Sequence, residues 1–245
     1  MAELSMTPVI LSIEGNIGSG KSTFVQNLKD NFAQELPGPL RICFLQEPVD
    51  EWDQIRDSTG RTILERYYHD PKAYAFTFQM MAYITRLNRI KEALAGGYDV
   101  IIMERSLQTD RLVFAQMLKD EGKISDIEFA VYTKWFDSFQ AEVPPCHIVY
   151  LRTTPEIAFG RVQRRAREGE DIPLGYLAKC HSYHERWLGT GSSTRLVLDA
   201  TQDALKDGGR VAQEWRTEVK RCVARLLADA TAVSPAEAFQ NNFIA

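Results

Sequence analysis

Short apolar runs alternate along this chain with longer segments of mixed polarity. Val9–Ile13, Arg41–Gln46, Asp99–Met103, His147–Leu151 and Arg195–Leu198 are the apolar runs, each four to six residues long. Runs of that length read as strands buried on both faces. Between them, Thr23–Phe32 sets Phe24, Val25, Leu28 and Phe32 at helical spacing. Helical patterns also span Lys72–Ala95, Gln108–Lys119, Ser125–Gln140 and Pro155–Arg167. The Gly96-Gly97 pair after Ala95 predicts a helix stop before the third strand. Alternation of this kind predicts an α/β fold, a five-stranded parallel sheet with helices on both faces. No repeat or low-complexity linker divides it, so residues 1–245 are expected to form a single domain. The ends, 1–8 and 232–245, are expected to be loosely held. Ligands of such sheets sit beyond the carboxyl ends of the strands, and the chemistry should be found there.

The first strand-to-helix junction reads Gly15-Asn16-Ile17-Gly18-Ser19-Gly20-Lys21-Ser22. Glycines let successive backbone N–H groups turn toward phosphate oxygens at a helix N-terminus, where the dipole favours anions. The strand–loop–helix context is what distinguishes a phosphate cradle from a chance pattern. Lys21 is expected to reach the β- and γ-phosphates, and the Ser22 hydroxyl to ligate Mg²⁺. The sequence therefore implies a bound nucleoside triphosphate.

Composition narrows the rest. The chain is 44% hydrophobic and 25% charged with a net charge of -4, which is ordinary for a globular protein and argues against a nucleic-acid polymer as partner. Its four cysteines are scattered and read as reduced thiols. No stretch has the length of a membrane span, and neither a secretory nor a transit segment is evident, so a cytoplasmic location is expected. His181 and His184 have metal-like spacing but lack partners, and a structural role is expected of them.

Candidate chemistry collects at the strand ends. The second strand leads into Glu47-Pro48-Val49-Asp50-Glu51-Trp52; Glu47 is placed to accept a proton from an attacking hydroxyl, and Trp52 offers a flat apolar wall. The third ends in Glu104-Arg105-Ser106, with Glu104 placed opposite Ser22 for Mg²⁺ and Arg105 placed to hold the nucleophile and its base. Arg161, Arg164, Arg165 and Arg167 suggest a lid over the transferring group, their planar donors offsetting its developing charge. Glu170 is near enough to reach back toward a substrate hydroxyl. Gln79, Ala82 and Arg86 share one helix face, and Asp110 is expected to meet Arg86 there.

These pieces together resemble the deoxyribonucleoside kinase family, which includes the deoxycytidine and deoxyguanosine kinases. The motifs are Gly15–Ser22, Glu47-Pro48-x-x-x-Trp52, Tyr68-x-Asp70-Pro71, Phe78-Gln79, Glu104-Arg105-Ser106-x-x-x-Asp110, Arg161-x-x-x-Arg165-x-Arg167 and Ile172-Pro173-Leu174. The resemblance implies a P-loop kinase fold with an Arg-rich lid. It implies ATP or another nucleoside triphosphate as donor, held with Mg²⁺ by Gly15, Asn16, Ile17, Gly18, Ser19, Gly20, Lys21, Ser22, Thr23, Arg161, Arg165 and Asp203. It makes Glu47 the base and Arg105 its partner, with Lys21, Arg165 and Arg167 completing catalysis and Ser22 and Glu104 meeting the metal. Tyr68 and Glu170 would bind the 3′-hydroxyl, and Gln79 would read the base, enclosed by Trp52 and Phe114. Ala82, Arg86 and Asp110 in those places are similar to the deoxycytidine and deoxyguanosine enzymes, which implies those bases or adenine over thymine. The resemblance also implies a homodimer packed through helices.

Other readings remain open at this point. A nucleoside monophosphate kinase of thymidylate kinase type shares loop, lid and fold. A P-loop GTPase would need Asp57-Ser58-Thr59-Gly60 as its D-x-x-G element, and no N-K-x-D motif accompanies it. A nucleotide sensor would retain the loop without transferring the phosphate.

Overall fold

The computed structural model describes residues 7–35, 39–166, 172–189, 195–204 and 207–232. Among these, β1 (Val9–Glu14), β2 (Ile42–Leu45), β3 (Val100–Glu104), β4 (His147–Arg152) and β5 (Arg195–Asp199) form one five-stranded sheet in the order β2-β3-β1-β4-β5. Every pairing is parallel, as the continuous apolar runs require. The helices are α1 (Lys21–Glu35), α2 (Val49–Trp52), α3 (Ile63–His69), α4 (Pro71–Ala95), α5 (Leu107–Thr109), α6 (Gln116–Asp120), α7 (Asp126–Gln140), α8 (Pro155–Arg165), α9 (Leu174–Leu188) and α10 (Arg210–Ala232).

Strand side chains alternate between two cores, as the pleat dictates. Leu11 and Ile13 of β1 and Val100 and Ile102 of β3 pack on Phe24, Val25, Leu28 and Phe32 of α1 and on Trp215, Val219 and Val223 of α10. Ile10, Ile101 and Met103 face the other way, onto Tyr83, Leu87 and Ile90 of α4 and Tyr132 and Phe136 of α7. The fold is thus the α/β P-loop kinase arrangement that the sequence implies.

Local caps set the element boundaries. Thr62 and Glu65 make a capping box on α3, and Asp70 caps α4 ahead of Pro71. The Gly96-Gly97 stop is present, with Gly97 at φ +66°.

Two sequence expectations change. The pattern Gln108–Lys119 is no continuous α-helix, because Asp110–Ala115 forms a π-helical turn between α5 and α6. The pattern Pro155–Arg167 ends at Arg165, where Ala166 takes a left-handed cap and donates to the Val162 carbonyl. Four helices had no clear periodic forecast: α2, α3, most of α9 and α10.

Candidate active site

The glycine loop runs from the end of β1 to the start of α1. Gly15 sits at φ +148°, and a Cβ there would stand 2.7 Å from the Leu151 carbonyl. Gly18, at φ +78°, lies against the Ala158 backbone. Asn16 is buried and shapes the loop from behind: its amide donates to the Leu177 carbonyl at 2.9 Å, and its carbonyl accepts from Lys21 Nζ at 2.8 Å. The Ser22 hydroxyl donates to Glu104 Oε1 at 2.8 Å across the strand ends.

A cavity of about 570 Å³ extends from this loop along the carboxyl edge of the sheet. Ile17 to Thr23, Arg161, Arg165, Gln202, Asp203, Ala204 and Trp215 line one end. Glu47, Trp52, Phe78, Gln79, Ala82, Arg86, Arg105, Asp110, Phe114 and Tyr176 line the other, with Glu104 beside them.

Glu47 stands where the two ends meet. Its Oε1 is 2.7 Å from Arg105 Nη1 and 3.2 Å from Arg86 Nη2. Burial opposes its charge, but Arg105, Arg86 and Lys21 together outweigh burial and hold its pKa down at about 2. Lys21 shows the converse: burial and the neighbouring Arg105 charge pull it down to about 7, against Glu104 and Glu47. Arg105 has a positive φ of 63°, its side chain is buried, and its Nε and Nη2 have no partner among the described residues. Its guanidinium carbon stands 5.1 Å over the Phe114 ring.

The far wall is built by α4 and the π turn. The expected meeting of Arg86 and Asp110 occurs, at 2.9 Å from Nε and 3.3 Å from Nη2. Arg86 Nη1 also donates to the Glu104 carbonyl at 2.9 Å. The wider π turn brings both Asp110 and Phe114 to the cavity while Arg111 points outward to Asp137. Gln79 is buried, and its amide oxygen has no partner among the described residues. Trp52 packs edge-on against Phe78 at 5.4 Å, and its N–H donates to Thr85.

Not every sequence-named residue lines the cavity. Tyr68 is packed beside Tyr67 and does not line the cavity; Tyr176 lines it instead, with its hydroxyl 3.0 Å from that of Tyr67. Gly15 and Asn16 likewise shape the loop without lining the cavity. Arg161 bridges the glycine loop to the loop after β5, donating to the carbonyls of Ser19, Ala200 and Gln202. Arg167 and Glu170 lie outside the described residues. Asp57 accepts from Thr59 and Arg61 and pairs with Arg66, so its D-x-x-G segment closes a turn away from the cavity. His184 is buried against Tyr150 with Nδ1 on the Cys180 carbonyl, and burial lowers its pKa to about 3. Tyr176 and Trp215 were not legible as site residues, because each sits in a helix, α9 and α10, with no motif of its own.

A phosphate cradle opening directly onto a carboxylate clasped by two arginines is an arrangement for moving a phosphoryl group, and it defines a P-loop phosphotransferase. Residues 11–224 match the deoxynucleoside kinase family, and the chain belongs to it. It is 37% identical over 209 residues to a probable deoxycytidine kinase of Fowlpox virus, with 82% of each chain covered. Deoxycytidine kinase 1 of Xenopus laevis is 38% identical over 195 residues, 73% of each chain. The mitochondrial deoxyguanosine kinase of the same species is 34% identical over 247 residues, covering 88% of this chain and 90% of its own.

Proposed function

We propose that the protein transfers the γ-phosphoryl group of ATP or another nucleoside triphosphate to the 5′-hydroxyl of deoxycytidine, deoxyadenosine or deoxyguanosine, in preference to thymidine. The observation that carries this reading is Glu47, held between Arg105 and Arg86 at the mouth of the phosphate loop. The 5′-oxygen attacks phosphorus, the bond to the β,γ-bridging oxygen breaks, and the nucleoside diphosphate leaves. The hydroxyl proton passes to Glu47. In a loose transition state that transfer falls late, so a carboxylate of low pKa suffices as acceptor. Arg105, with two buried donors unpartnered, supplies hydrogen bonds to the nucleophile.

The acceptor end favours a neutral alcohol over a nucleoside monophosphate. Its two arginines are matched by two carboxylates, Glu47 and Asp110, leaving no net positive charge for an acceptor phosphate. Gln79 would pair with the base edge. Asp110 would accept from an exocyclic amino group, where thymine offers only a carbonyl. Setting that carbonyl against the carboxylate, in place of a hydrogen bond from an amino group, costs about 1–3 kcal/mol.

Ser22 and Glu104 present oxygen ligands side by side at 2.8 Å, a donor set that suits Mg²⁺ shared with substrate phosphates. When bound, Mg²⁺ neutralises charge on the β- and γ-phosphates. Arg161 and Arg165 line the donor end with Asp203, and Arg165 with Arg167 would serve as the lid. Tyr68 and Glu170 would hold the 3′-hydroxyl.

Homodimerisation finds support in Ile127, Val131 and Trp135, which are 78%, 42% and 44% exposed at one face of α7. Light scattering should give twice 27.9 kDa. Cys43, Cys146, Cys180 and Cys222 are all unpaired, which accords with a reducing compartment such as the cytoplasm. No helix among the described residues is long and apolar enough to cross a membrane.

The deciding experiment is a kcat/KM panel over the four natural deoxynucleosides and deoxycytidine monophosphate. Thymidine or the monophosphate ranking first would overturn the assignment.

A further inference from the structure

Glu14 ends β1 one residue before the glycine loop, is wholly buried, and has no part in the transfer described above. Its Oε1 accepts from the Ser12 hydroxyl at 2.6 Å, the Ser106 backbone N–H at 2.9 Å and the Ser106 hydroxyl at 2.6 Å. Its Oε2 accepts from the Thr109 hydroxyl. Three of these four donors belong to the segment that leaves β3, and Arg105 is the residue that joins that segment to the strand.

Arg105 has the φ of +63° that L side chains rarely adopt, and nothing in its own sequence favours it. Such a conformation persists only where the surroundings impose it. Here two consecutive N–H groups are tied to β1: Arg105 donates to the Ile13 carbonyl at 3.1 Å, and Ser106 donates to the Glu14 carboxylate. Releasing the second tie lets Arg105 relax toward negative φ. Its Cβ direction then swings, and the guanidinium leaves both Glu47, now at 2.7 Å, and the ring of Phe114. Thr109 extends the same anchor to the start of the π turn that carries Asp110 and Phe114.

The geometry points to Glu14 as a positioning residue for phosphoryl transfer, holding Arg105 in its left-handed backbone so that the guanidinium meets Glu47 and the acceptor hydroxyl. This rests on the reading of Glu47 and Arg105 given under the proposed function. A buried carboxylate is a costly way to fix a turn, and here it satisfies three residues that a neutral apolar side chain would leave without a partner.

The test is a kinetic cycle in the full-length protein. Glu14→Gln keeps the volume but replaces one acceptor oxygen with a donor. Measured with ATP and deoxycytidine, it should lower kcat by about 10- to 100-fold, the scale of a misplacement near 1 Å, while KM for the nucleoside stays within about twofold. In an Arg105→Lys background the same change should alter kcat by less than about twofold, since Glu14 acts through Arg105. Thr109→Val removes a single bond and keeps the shape. It should give a smaller loss with the same dependence on Arg105, and it carries the test if Glu14→Gln does not fold. An equal kcat penalty with and without Arg105 overturns the inference, because Glu14 then supports the fold generally. Arg105→Lys leaving kcat at the wild-type value overturns the reading of the site itself, and a wild-type kcat for Glu14→Gln beside an impaired Arg105→Lys overturns only the role of Glu14.

Discussion

One guanidinium links the proposed base-reading group to the proposed proton acceptor: Arg86 binds Asp110 through Nε at 2.9 Å and Glu47 through Nη2 at 3.2 Å. A substitution aimed at specificity therefore also reaches catalysis. Arg86→Met combined with Asp110→Ala removes the buried carboxylate that thymine would meet with a carbonyl. We expect thymidine kcat/KM to rise at least about tenfold. The kcat for deoxycytidine should fall in the same variant, because Glu47 loses one of its two arginines. No gain on thymidine would count against Asp110 as the discriminator.

The same pair makes a stability prediction in which the double change costs less than the single one. Arg86 and Asp110 are buried, with side chains only 5% and 3% exposed. Arg86→Met alone strands Asp110, whose carboxyl burial already pushes upward despite the guanidinium beside it. Breaking such a pair costs about 3–5 kcal/mol, whereas replacing both partners costs much less. Urea unfolding should show the double variant more stable than Arg86→Met. The reverse order would mean that the pair is solvated in solution.

Glu47→Gln tests the proton acceptor without changing shape. Loss of about 10²–10⁴-fold in kcat is expected. The pKa of about 2 adds a pH prediction. Folded Glu47 is ionised at every pH above that value, so kcat/KM should show no acidic limb from this group between about pH 3.5 and 5, the usual carboxylate region. A limb there that vanishes in Glu47→Gln would show that substrate-free Glu47 is far less tightly held by its arginines.

Tyr68 and Tyr176 are two candidates for the sugar. Tyr68→Phe is expected to cost about 0.5–1.5 kcal/mol of binding for a substrate with a 3′-hydroxyl, and little for a dideoxynucleoside. Tyr176→Phe, which breaks the 3.0 Å contact with Tyr67, serves as the comparison. The variant whose effect depends on the 3′-hydroxyl identifies the sugar contact.

The sheet was legible in the sequence because parallel strands buried on both faces announce themselves as uninterrupted apolar runs. The glycine loop was legible because its spacing reflects backbone geometry. Arg86 and Asp110 were paired correctly from helical spacing and a strand-end motif, although 24 residues separate them. What stayed hidden depends on tertiary placement. The π turn cannot be told from an α-helix by periodicity over six residues. Tyr176 reaches the cavity only because α9 packs beside α8, and Trp215 only because α10 returns along α1. Glu14 belongs to no motif in the sequence; Ser106 and Thr109 come to it only because β1 pairs in parallel with β3.

Lys21 provides the last prediction, a proton uptake that accompanies donor binding. Burial and Arg105 lower its pKa to about 7, while its Nζ rests on the Asn16 carbonyl at 2.8 Å. Phosphate oxygens beside it favour the charged form, so the pKa of the bound state lies higher. Well below pH 7 the lysine is protonated in both states and adds no pH dependence of its own to the affinity. Above pH 7 the free protein has released the proton and must regain it on binding. Affinity for the triphosphate should then fall with rising pH, by up to tenfold per unit, until the bound-state pKa is reached. Isothermal titration calorimetry at pH 8 in buffers of different ionisation enthalpy reads the uptake directly, and up to about one proton per site is expected. Zero uptake at pH 8, with affinity unchanged between pH 6.5 and 8.5, would mean that Lys21 is already charged in the free protein.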